Sequence, residues 1–88
     1  MNDMDRILDE FEFRIDDVVF IIFEYKIYIG TVDGFEYIQY DEGIRLSYLI
    51  KFFHVEDNRF KYRIYPIEEV YSSKEEMVTK NIRKYETI

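Results

Sequence analysis

The chain has 88 residues, of which 8 are Phe and 9 Tyr, and a formal charge of −7 with 35% of its residues charged. So short a chain buries only about 60–65% of its unfolded surface, and aromatic side chains, at roughly 150–250 Å² each, have to supply much of the core. Without cysteine there is no disulfide framework, thiolate zinc site or cysteine nucleophile, and the longest apolar run, Val18 to Phe23, falls far short of the roughly 20 residues a membrane helix needs. The start, Met1-Asn2-Asp3-Met4-Asp5, is acidic and lacks the apolar segment of a secretory leader, which points to the cytoplasm. Next, Met4, Ile7, Leu8 and Phe11 stand at i, i+3, i+4 and i+7, one apolar stripe of a short helix over 1–12. Ten residues are marginal alone, so this helix forms only if its stripe docks.

From Phe13 the period changes. Asp16-Asp17 is a turn signal, and Val18 to Phe23 is β-branched or aromatic throughout, as in a strand covered on both faces. Ile27 to Val32 is a second strand, with Gly30 marking a bulge or a close approach. Asp33-Gly34 is either a type I′ hairpin turn or a kink in one long strand. Phe35 to Tyr40 continues extended, Asp41-Glu42-Gly43 closes it, and Ile44 to Val55 follows. After the Asp57-Asn58 turn, Arg59 to Tyr65 alternates at period two: Phe60, Tyr62 and Ile64 share one face, Arg59, Lys61, Arg63 and Tyr65 the other. Pro66 ends that ladder. Glu69-Val70-Tyr71 forms a last short strand, and Ser73-Lys74-Glu75-Glu76 is a capping box opening a C-terminal helix over 73–86. The expected fold is mainly β: one domain, with an antiparallel barrel of five or six strands over 13–71 and a helix at each end.

Four stretches carry a resemblance. They are Phe13-Arg14-Ile15-Asp16-Asp17-Val18-Val19-Phe20, Ile29-Gly30-Thr31-Val32, Tyr48-Leu49-Ile50-Lys51-Phe52 and Glu69-Val70-Tyr71-Ser72-Ser73-Lys74-Glu75-Glu76. Together, over about residues 13–78, they resemble the small SH3-like barrel proteins of bacteriophages and Firmicute mobile elements. Position 16 is Asp where that pattern commonly has glycine. The resemblance implies a small barrel. It constrains function weakly, because such proteins include nucleic-acid binders and peptide binders.

The inventory for chemistry is thin. His54 is the only histidine, and it reads as solvated or locally hydrogen-bonded rather than catalytic. Two-histidine and His/Cys metal sites are impossible here. The adjacent acids Asp16/Asp17, Asp41/Glu42, Glu68/Glu69 and Glu75/Glu76 sit in turns or at helix starts, where acids are ordinary. Gly30, Gly34 and Gly43 make no phosphate loop. No catalytic residue, metal or cofactor is expected.

Charge is unevenly spread: residues 1–44 carry 12 acids against Arg6, Arg14 and Lys26, while residues 45–88 carry 7 acids against 9 bases. The halves either attract one another or form a polarised surface for a partner. The leading expectation is a non-catalytic module that binds a protein partner, in the manner of a phage protein occupying a host factor. Its acidic face is Asp9, Glu10, Glu12, Asp16 and Asp17, placed where an inhibited nucleic-acid enzyme of host defence binds phosphates. A second expectation is nucleic-acid or nucleotide binding by a basic and aromatic face of Lys51, Lys61, Arg63 and Tyr65. A third is a homo-oligomer sealed through Val18–Phe23. The surplus of tyrosine suits protein contacts, Tyr28 and Tyr40 being the examples expected outside the core.

Overall fold

The computed structural model describes the backbone of residues 9–86 and the side chains of residues 9–81. Four antiparallel strands form one sheet in the order β1 (Val18–Phe23), β2 (Lys26–Tyr40), β3 (Gly43–His54) and β4 (Arg59–Pro66). Every connection is a hairpin, so each strand pairs with its sequence neighbour. A 3-10 turn, Ile67–Glu69, then leads to the helix α1 (Lys74–Glu86).

Each hairpin is set by local chemistry. Between β1 and β2, Glu24 and Tyr25 form a two-residue turn with φ +49° and +68°, a type I′ geometry adopted here without glycine. Asp41 and Glu42 link β2 to β3, where Gly43 takes φ +140°. The turn between β3 and β4 closes through the Asn58 N–H donating to the Val55 carbonyl at 3.1 Å. Asp33-Gly34 is no hairpin: β2 runs through it beside β3, and the register slips between Val32 and Gly34. That slip is a bulge, which bends the strand. Gly30 is a close approach, since a Cβ there would stand 2.7 Å from Ile50 Cγ2 and 2.9 Å from the Lys51 carbonyl oxygen.

The expected barrel of five or six strands is thus a four-stranded sheet, and it is open. Glu69-Val70-Tyr71 is not a strand: Glu69 ends the 3-10 turn, and Tyr71 alone bridges to Phe20 by two backbone hydrogen bonds of 2.8 and 3.0 Å. Pro66 and the 3-10 turn take the chain off the ladder before a longer pairing can form. Between β4 and β1 a side chain spans the gap instead, with the Tyr65 hydroxyl donating to the Ile22 carbonyl at 3.0 Å.

The core lies on the concave side. Val19 and Ile21 of β1, Val32 of β2 and Tyr48, Ile50 and Phe52 of β3 are all but fully buried, joined by Phe13 and Val70. The Phe13 N–H donates to the buried Tyr48 hydroxyl at 3.0 Å, tying the segment before β1 to the sheet. Asp16 sits at φ +71°, a left-handed conformation in which glycine is at ease. Its N–H donates to the Val32 carbonyl at 2.8 Å. The capping box forms with one shift: the Ser73 hydroxyl accepts from the Glu76 N–H at 3.0 Å, but Glu76 reaches back to the Ser72 N–H at 2.9 Å. Of the expected helix over 1–12, residues 1–8 lie outside the described residues. Phe11, beyond them, packs against Phe35 and Tyr48 with ring centroids at 4.8 and 5.2 Å.

Candidate functional site

Cross-strand register decides which side chains share the convex side of the sheet, because directly paired residues point the same way and alternate residues follow. Val18, Phe20 and Ile22 pair with Thr31, Ile29 and Ile27; Thr31 pairs with Lys51; Lys51 and Phe53 pair with Tyr62 and Phe60; Leu49 pairs with Ile64. These positions form one surface across all four strands. Phe20 and Leu49 are half-buried, while Val18, Ile22, Ile27, Ile29, Phe53, Phe60, Tyr62 and Ile64 are exposed, Ile29 by 60% and Phe60 by 57%. The only charged side chain among them is Lys51, whose ammonium lies over the Phe60 ring at 4.6 Å. The same face continues past Leu49 to the pair Ser47–Glu36, which bounds the apolar surface on that side; between that pair and the β1 edge the named positions carry no acid, an unusual breadth in a chain with 35% charged residues.

This face reverses one expectation. The alternation of β4 is as read from the sequence, but the basic side points inward. Register places Lys61 opposite Phe52, Arg63 opposite Ile50 and Tyr65 opposite Tyr48, all on the core side. Lys61 and Arg63 cover the Phe23 ring at 5.5 and 5.4 Å, their aliphatic stems shielding it at the open edge of the concavity. Lys61 also meets Asp57 at 2.6 Å, and its side chain is only 14% exposed. Burial pushes the Tyr65 hydroxyl up to about 12. Lys51 stands on the opposite side of the sheet and does not join Lys61, Arg63 and Tyr65. Tyr28, expected outside the core, packs against it, whereas Tyr40 is exposed.

The acidic segment is where the sequence puts it. Asp9, Glu10, Glu12, Asp16 and Asp17 are all exposed, on a stretch pinned by Phe11 and Phe13. Asp17 accepts from the Arg14 N–H at 2.9 Å, within the segment. Among the described residues, the ion pairs Lys61–Asp57, Arg59–Asp57 and Lys80–Glu76 all lie within the second half of the chain. Lys26–Glu56 crosses between halves with its cation from the acidic one. Among the described residues, none of these five acids is in a close ion pair with the basic half, although the Lys80 ammonium lies near enough to Glu12 to feel its charge.

A cleft between β1, the 3-10 turn and α1 is lined by Ile22, Tyr65, Glu68, Tyr71 and Lys80. Two of its polar groups are already engaged, the Tyr65 hydroxyl with the Ile22 carbonyl and Lys80 with Glu76 at 2.6 Å.

His54, expected to be solvated or hydrogen-bonded, is buried at 3% exposure, and neither ring nitrogen has a hydrogen-bond partner. Asp57 approaches Nδ1 at 3.2 Å, close enough to attract the ring without forming a well-made hydrogen bond. The β1 part of the convex face was legible, since Val18 to Phe23 is apolar at every position and requires cover on both sides; its extension over β2, β3 and β4 was not, because period two shows that faces differ, not which one is covered.

Compared with protein-family models, with curated proteins and with solved structures, the chain finds no match. No helix among the described residues is long and apolar enough to cross a membrane.

Proposed function

We propose that this protein is a non-catalytic binding module whose convex sheet face docks a protein partner. The observation that carries this is the exposed apolar surface across β1 to β4, with aromatic side chains Phe53, Phe60 and Tyr62 at adjacent register positions. Aromatic side chains clustered on a rigid sheet are the usual energetic centre of a protein interface. The exposed acids Asp9, Glu10, Glu12, Asp16 and Asp17 form a second, polar contact that steers a basic partner such as a nucleic-acid enzyme. The resemblance to small phage and mobile-element barrel proteins fits this role, in which a cytoplasmic host factor is occupied rather than modified. Binding of nucleic acid through the basic stripe is the weaker reading, because Lys61 is engaged by Asp57 and Lys51 faces away.

The test is capture from host lysate by the wild-type chain and by Ile29→Glu/Phe60→Glu. Specific capture that persists at high salt and is lost in the variant supports the reading. Capture that fades steeply with salt and survives the substitutions points to phosphate contacts instead. Sedimentation separates a foreign partner from a second copy: concentration-dependent dimerisation abolished by the same substitutions assigns the face to self-association.

A further inference from the structure

We propose that Glu24, His54 and Glu56 form a binding site for a divalent first-row metal ion of the zinc type, clipping together the ends of two hairpins. The inference is independent of the docking face. Glu24 lies in the β1–β2 turn, His54 ends β3, and Glu56 follows in the β3–β4 turn, all at one end of the sheet. One ligand atom from each lies within 4.8 Å of the other two. Ligand atoms around zinc sit about 2.0–2.2 Å from the ion and hence roughly 3.5 Å apart, so closure asks about 1.5 Å of movement. Both glutamate side chains are more than half exposed; Glu24 can make it directly, and Glu56 on release from its ion pair with Lys26.

The acids alone would mean nothing, since exposed carboxylates are common. His54 is the separate observation: an imidazole more than nine-tenths buried whose Nε2 has no hydrogen-bond partner is costly unless something completes it. Phe23 and Tyr28 hold its ring, with centroids at 5.4 and 5.7 Å. Asp57 stands by Nδ1, while Nε2 points to the Glu24 carboxylate 4.0 Å away. That arrangement suits a metal-ligating histidine, whose second nitrogen faces a carboxylate that fixes the ring and raises its basicity. Imidazole with two carboxylates favours zinc and its neighbours over magnesium or calcium. Lys26 holds Glu56 meanwhile, and the ion takes that cation's place.

The experiment is zinc titration of the full chain by calorimetry, with histidine ring nitrogen shifts followed by NMR. The expected result is one zinc per chain, a shift confined to one His54 nitrogen, and affinity at least tenfold weaker in Glu24→Gln and in Glu56→Gln. These are exposed positions, so the variants keep the fold. Lys26→Met removes the competitor and is expected to tighten binding several-fold. Magnesium is expected to leave the His54 signals unmoved. Absent zinc binding overturns the proposal, as does affinity unchanged in the two glutamine variants or in Lys26→Met.

Discussion

Gly30 shows how one missing side chain sets the thickness of this small core. It pairs with Val19 on one side and Phe52 on the other, and any Cβ meets the backbone of Lys51 as well as Ile50. Gly30→Ala is expected to lower stability by about 1–3 kcal/mol, read from urea unfolding, because a backbone oxygen cannot step aside as a side chain can. Glu76 acts through charge. Lys80 first, then Ser72, holds its carboxyl down to about 2 from an ordinary 4.5. A depressed carboxylate contributes stability above its unfolded value and loses it as pH falls from 4.5 toward 2. Glu76→Gln should therefore cost about 1 kcal/mol at neutral pH and flatten the acid limb of the melting temperature between those values. A variant whose acid limb matches the wild type would remove Glu76 from that account.

Among the elements, the hairpins carry the most local tension. Glu24 and Tyr25 both adopt left-handed conformations that side chains disfavour, and Tyr25 is fully exposed at the tip. Tyr25→Gly is expected to stabilise by about 1 kcal/mol, seen as a raised urea midpoint; a lowered midpoint would show that the ring packs in a way its exposure denies. Strand positions were legible because hydrophobic period and turn residues are local: β1, β3, β4 and the capped helix lie within a few residues of where sequence puts them. Barrel closure was not legible, because it turns on whether Pro66 and the following residues return to β1 for one pair or for several. Nor was the face of β4, since alternation is symmetric until register with β3 puts Lys61 and Arg63 over Phe23. The Glu24–His54–Glu56 group was invisible for the same reason: its members meet only once two separate turns share an end of the sheet.

At the scale of the molecule, the charge of −7 and the aromatic content have distinct destinations. Aromatic rings divide between a concave core and a convex surface, while the acids of the first segment stand exposed, in no close ion pair among the described residues. The proposed docking role rests on Val18, Ile29, Phe60 and Ile64 standing open to solvent on one face of the sheet, a cost that association would relieve. Charging that surface should cost under about 1 kcal/mol of stability, since the residues replaced are already half exposed. The most direct measurement is capture from host lysate by wild type and by Ile29→Glu/Phe60→Glu, with melting temperature recorded for both. The account predicts a specific, salt-resistant partner retained by the wild type and lost by an equally folded variant. Equal capture by both would contradict it.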